Sequence, residues 1–147
     1  MQTIRILSYN IFVRPPLIKN NLSDYKDARL AYFIEHELSK FDIIGLQEMF
    51  NYGSNRQERL IEAARKLGFA YVHTSPHRSL LQGKIDGGLV LLSRFPIVKT
   101  GVYKFARGVF SDRLIAKGAL YARIELAPQR HINVFLAHLQ TSALVKK

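Results

Sequence analysis

The chain has 147 residues, 48% of them hydrophobic, with 22 Lys and Arg against 11 Asp and Glu and no cysteine. That length suits one domain burying about 70% of its unfolded surface, and the lack of thiols excludes a disulfide framework and thiolate metal sites, leaving oxygen or imidazole ligands and hard cations such as Mg²⁺. The formal charge of +11 favours phosphate-bearing partners, whether nucleic acid, an anionic membrane surface or a phosphorylated small molecule, although the scattered cations also read as a solvated surface.

Met1 to Arg5 lacks the apolar stretch and cleavage site of a secretory signal, and no apolar run is long enough to span a bilayer. A cytoplasmic or peripheral-membrane location is expected. Ile4 to Ile11 reads as a buried strand, ending in Ser8-Tyr9-Asn10 and followed by the turn-forming Arg14-Pro15-Pro16. Ser23 or Asp24 can cap a helix running to about Lys40, with Leu30, Ala31, Ile34 and Leu38 on one side. Asp42 to Glu48 returns as a strand. Ser54-Asn55-Arg56-Gln57 fits a capping box, and the helix it opens aligns Leu60, Ala64 and Leu67 before Gly68, placed to end it in the left-handed conformation.

Strands then dominate: Phe69 to Thr74, Gly88 to Ser93, Ile97 to Phe105, Lys117 to Leu126 and Ile132 to Leu139, separated by turns such as Asp86-Gly87-Gly88 and Ala127-Pro128. Two helices among roughly seven strands, with no repeat or linker, predict a mixed α/β layer with helices on one face of a sheet. Gly88 to Leu92 and Ile132 to Leu136 read as buried on both faces.

Three of the strands end in ligand-type side chains: Asn10, Glu48 and His138. A carboxamide, a carboxylate and an imidazole at one sheet edge would suit a cation and a phosphate. Each alone has a plainer reading: Asn10 as a turn former, Glu48 as a solvated loop carboxylate, His138 as a hydrogen-bonded structural histidine.

Five stretches, in order, carry a resemblance: "SYNIF" at 8–12, "GLQEMF" at 45–50, "DGGLVLLSRFPI" at 86–97, "SDRLIAKGALYARI" at 111–124 and "FLAHLQTS" at 135–142. With these the chain resembles the endonuclease/exonuclease/phosphatase superfamily of deoxyribonuclease I-like fold, and within it the neutral sphingomyelinase branch. The resemblance implies the N-terminal half of a four-layered α/β/β/α sandwich. It implies a Mg²⁺-dependent phosphodiesterase, with Mn²⁺ or another divalent ion as substitutes. Glu48 would be the metal-binding glutamate, Asn10 the asparagine orienting the metal site, and His138 the histidine that hydrogen-bonds the phosphate. Lys117 would approach the phosphate, with Asp112 switching it into place; for this pair a surface ion pair or two solvated charges are the alternative. Arg94 and Gly87-Gly88 also fall in a matching stretch but read as a strand end and a turn.

Members of this superfamily also carry Gly-Asp-x-Asn, which positions the attacking water, and Ser-Asp-His, whose histidine is the general base. None of the five aspartates, Asp24, Asp27, Asp42, Asp86 and Asp112, sits in either motif. The chain thus reads as a single partial domain over 1–147, inactive alone, with the inner face of its sheet left bare. The expected substrate is a phosphodiester, a phospholipid head group ahead of nucleic acid or an inositol phosphate. A peripheral membrane contact and a second chain completing the sandwich are the expected partners. The non-enzymatic alternative is a truncated module that binds phosphate groups or a protein.

Overall fold

A computed structural model describes residues 3–16, 25–76, 87–105 and 117–139. The chain runs β1 (Ile6–Val13), α1 (Lys26–Tyr32), a π-helical turn (Phe33–Glu37), a 3₁₀ turn (Leu38–Lys40), β2 (Ile43–Met49), α2 (Arg56–Lys66), β3 (Tyr71–Thr74), β4 (Val90–Ser93), β5 (Ile97–Lys104), β6 (Gly118–Ala127) and β7 (Arg130–Ala137). The first sheet has the order β1-β2-β4-β3, with β1 and β2 parallel and the other pairs antiparallel. The second is the antiparallel meander β5-β6-β7.

Strand alternation divides the core in two. On one side of the first sheet Ile44, Leu46, Val90 and Leu92 pack with Leu30, Phe33, Leu38, Leu60 and Ala64 of the helical segments. On its other side Ile43, Leu89 and Leu91 pack with Leu120, Ala122, Ile124 and Leu136 of the second sheet. The result is three layers, helices on sheet on sheet. This corrects the expectation of a bare inner face: the chain supplies strands to both leaves, and β5 to β7 cover the first sheet.

Other expectations are also corrected. β4 is buried on both faces, but β7 is not, since Phe135 is 72% exposed on the side away from the core. The helix expected through Lys40 changes character after Tyr32. One wide turn makes the buried spacing Leu30, Phe33, Leu38 and leaves Ala31 exposed. The π turn lets Phe33 stack on Tyr9 of β1 with ring centroids 5.8 Å apart. Ser23 and Asp24, the expected caps, lie outside the described residues, and the residue at the cap position is Tyr25. At α2 the cap is Asn55, no side chain closes a capping box, and Leu67 lies past the helix end, 37% exposed. Gly68 does terminate the helix at φ 90°, its N–H bonding the Arg65 carbonyl at 3.0 Å.

Candidate functional site

Because β1 and β2 run parallel with Asn10 opposite Gln47, both strands deliver their last polar residues to one end of the sheet. The register then slips between Asn10 and Val13. Within that bulge Phe12 is left-handed, φ 53°, and its N–H donates to Asn10 Oδ1 at 3.1 Å. This fixes the carboxamide so that Nδ2 donates to Glu48 Oε1 at 3.0 Å. Glu48 is itself left-handed, φ 57°, which turns its side chain out of the alternation of β2. Its carboxylate is 8% exposed. Arg14 donates to it through Nε on Oε2 and through Nη2 on Oε1, the latter at 3.4 Å.

His138 reaches the same carboxylate from the second sheet. Its backbone N–H bonds Gly118 O at 3.1 Å, continuing the β6–β7 ladder, and its Nε2 lies 3.6 Å from Glu48 Oε1. Asn10, Glu48 and His138, widely separated in sequence, therefore meet. Lys117 immediately precedes β6, on the same end of that hairpin. It is buried, and Nζ donates to the carbonyl of Leu139, the residue after His138, at 3.1 Å. Asp112 lies outside the described residues, as does His77. His73 is not in the cluster; its Nε2 lies 3.2 Å from Gly101 O. Arg94 is structural, as read from sequence: it bonds the carbonyls of Phe41 and Leu67, and its guanidinium sits 4.4 Å from the Phe69 ring centroid.

Neighbouring elements lock these residues. Lys26 and Arg29 of α1 donate to the carbonyls of Pro15, Ile11 and Phe12, clamping the bulge. Buried Gln57 gives its amide to Met49 O at 2.7 Å rather than to a capping box, and Met49 N donates to Gly88 O at 2.9 Å. Gly88, at φ 63°, leaves no room for a side chain, because a Cβ would lie 2.9 Å from the Phe50 ring.

Burial pushes the Glu48 carboxyl up, but the hydrogen bonds from Arg14 and Asn10, with the charges of Arg14 and His138, outweigh it. The net direction is down, so Glu48 is held as a carboxylate. The donor set fits a hard cation. Among the described residues no three His, Asp or Glu side chains gather into a complete cage. A single buried carboxylate, rather than a full protein cage, suits Mg²⁺, which keeps waters and takes substrate phosphate oxygens as ligands.

Arg14 is the residue that sequence reasoning missed. Its signal is an arginine four positions beyond a strand-end asparagine, which becomes legible only once the bulge is known.

Residues 7–142 match the Endonuclease/Exonuclease/phosphatase family. A sphingomyelinase of Dictyostelium discoideum is 39% identical over 134 residues, covering 85% of this chain and 29% of that protein. Sphingomyelinase C from Streptomyces griseocarneus superposes with a TM-score of 0.79 at 21% identity, over 98% of this chain and 51% of that one. A Staphylococcus aureus beta toxin determined with bound magnesium ions gives 0.76 at 22% identity, over 97% and 51%. The chain thus spans under a third of the Dictyostelium relative and about half of each of these solved structures, and shares their sandwich fold. On the family match and the Dictyostelium identity together, the chain belongs to the endonuclease/exonuclease/phosphatase family.

Proposed function

We propose that this chain carries the N-terminal portion of the active site of a Mg²⁺-dependent phosphodiesterase acting on sphingomyelin-like head groups. The observation that carries the reading is the meeting of Asn10, Glu48 and His138 around one buried carboxylate, from strand ends of two different sheets. The sphingomyelinase relatives and the magnesium in the beta toxin structure support the substrate and the ion.

In this reading Glu48 supplies the anionic oxygen for the cation, and Asn10 holds that carboxylate through Nδ2. A bound divalent ion would supply Lewis-acid stabilisation of phosphate charge. His138 donates from its ring to a phosphate oxygen. Lys117, anchored on the Leu139 carbonyl, brings positive charge to the same hairpin end, and Asp112 positions it. Phosphoryl transfer rewards this kind of fixed cationic surrounding, because charge spreads over the equatorial oxygens in the transition state.

The 147 residues contain neither Gly-Asp-x-Asn nor Ser-Asp-His, so no general base of that kind is present, a deficit of typically 10²–10⁴ in rate. The test is sphingomyelin and generic phosphodiester hydrolysis by this chain alone and with the remainder of the Dictyostelium relative supplied as a second chain. Alone it should be silent. The pair should show Mg²⁺-dependent turnover that Glu48→Gln abolishes, since an amide is a poor ligand for a hard dication. Turnover unaffected by Glu48→Gln at limiting Mg²⁺ would remove Glu48 from the site.

A further inference from the structure

We propose that Arg14 is a built-in surrogate cation: its guanidinium holds Glu48 while no metal is bound, and a divalent ion must displace it. The proposal rests on the reading of Glu48 as a metal ligand. Three observations carry it. The first is occupancy. Arg14 forks across both Glu48 oxygens, Asn10 Nδ2 takes Oε1 at 3.0 Å, and His138 Nε2 lies 3.6 Å from that same oxygen. A carboxylate offers about four lone-pair sites, and donors here point at both of its oxygens. A hard dication approaches its oxygen to about 2.0–2.1 Å and would meet a guanidinium bonded to the same group, a like-charge contact in a largely buried place.

The second observation is asymmetry. The Arg14 side chain is 35% exposed against 8% for Glu48, so the arginine has a way out and the carboxylate has none. The third is the pinned main chain. Arg29 holds the Ile11 and Phe12 carbonyls and Lys26 holds Pro15 O, so Arg14 leaves by turning its side chain rather than by carrying the loop away. Its present seat beside the Phe12 ring, 5.5 Å from the centroid, is itself at the surface. In the cation-free protein Arg14 thus neutralises a buried carboxylate that would otherwise destabilise the fold. The cost falls on metal affinity, because each ion bound has to break this pair.

The experiment measures Mn²⁺ binding by electron paramagnetic resonance, with thermal unfolding in the presence and absence of Mn²⁺, on the 147-residue chain. Arg14→Met should bind Mn²⁺ at least tenfold more tightly, melt lower than wild type without the ion and gain more from its addition. Arg14→Lys should fall between, because an ammonium cannot fork across both oxygens. Glu48→Gln should bind no Mn²⁺. Equal or weaker binding by both Arg14 variants, with Glu48→Gln still abolishing it, overturns the surrogate role and leaves the metal site standing. Binding that survives Glu48→Gln, or is absent from wild type and Arg14→Met alike, overturns both. Should Arg14→Met not fold, the wild-type chain decides with Mg²⁺. The Arg14 Nε–H resonance, protected on Glu48, should broaden as Mg²⁺ is added, and a resonance unchanged at high Mg²⁺ overturns the proposal.

Discussion

Glu48 occupies a backbone region that costs a residue with a side chain about 1–2 kcal/mol, and it stays there because its surroundings leave no alternative. Met49 is bonded on both its N–H and its carbonyl, and Phe50 N donates to Val13 O. Strain held in this way at a strand end marks a position kept for something other than stability. The carboxyl is held below the ordinary glutamate range when folded. Its stabilisation is therefore fully present above that ordinary range and is lost as pH falls through the lowered folded value. Urea unfolding of wild type and Glu48→Gln should show a stability gap at neutral pH that closes toward acid; a gap of constant size would mean that the carboxylate is not the cause. Gly118 is confined just as tightly. A Cβ there would lie 2.2 Å from the Tyr103 carbonyl oxygen, a backbone atom that cannot give way cheaply. Gly118→Ala should cost about 1–3 kcal/mol of unfolding free energy and, being next to Lys117, should also disturb the Lys117 bond to Leu139. Denaturant titration reads the first effect, and the Lys117 Nζ resonance reads the second.

Among the elements, α1 works as a clamp on β1 more than as a core helix. Lys26 is 1% exposed, and its Nζ bonds Pro15 O at 3.1 Å. Lys26→Met keeps the apolar stem but leaves that buried carbonyl without this donor, so a loss of about 1–3 kcal/mol is expected. Thermal unfolding checks it, and Lys26→Arg should recover part of the loss. The strands were legible in the sequence to within about two residues, because short apolar runs bounded by Gly and Pro leave few alternatives. Helix α1 was not: the π turn that brings Phe33 onto Tyr9 is decided by packing against β1, and no local periodicity announces it. Gln57 looked like a capping residue because its spacing from Ser54 suits one, yet a buried Met49 carbonyl needed its amide more. In the site, Asn10, Glu48 and His138 were readable as strand ends. Arg14 was hidden because only the bulge at Phe12 brings it back over β2.

For the whole molecule the most informative departure is the second sheet. Its inner face completes the core, while its outer face carries Phe135 at 72% and Tyr103 at 68% exposure, with Tyr121 and Phe135 rings 5.1 Å apart. Exposed aromatic surface of this kind favours association. The chain should therefore bind a hydrophobic dye and scatter light in a concentration-dependent way, and Phe135→Lys should reduce both. Unchanged behaviour would place the sticky surface elsewhere. Among the described residues no helix is long and apolar enough to cross a membrane.

The 3.6 Å approach of His138 to Glu48 joins two strands of unequal standing. β2 is sandwiched between β1 and β4, whereas β7 is the last strand of its sheet among the described residues and is paired to β6 alone. Terminal strands open far more often than central ones, without the rest of the protein unfolding. The pairing of imidazole and carboxylate should thus keep time with the fraying of β7. In hydrogen–deuterium exchange the amides of Leu136 and His138 should exchange orders of magnitude faster than that of Leu46, and warming should part the two side chains well below the melting temperature. A site built across two leaves is only as persistent as its looser leaf, so stabilising the central sheet would leave its lifetime unchanged, while fastening β7 would lengthen it.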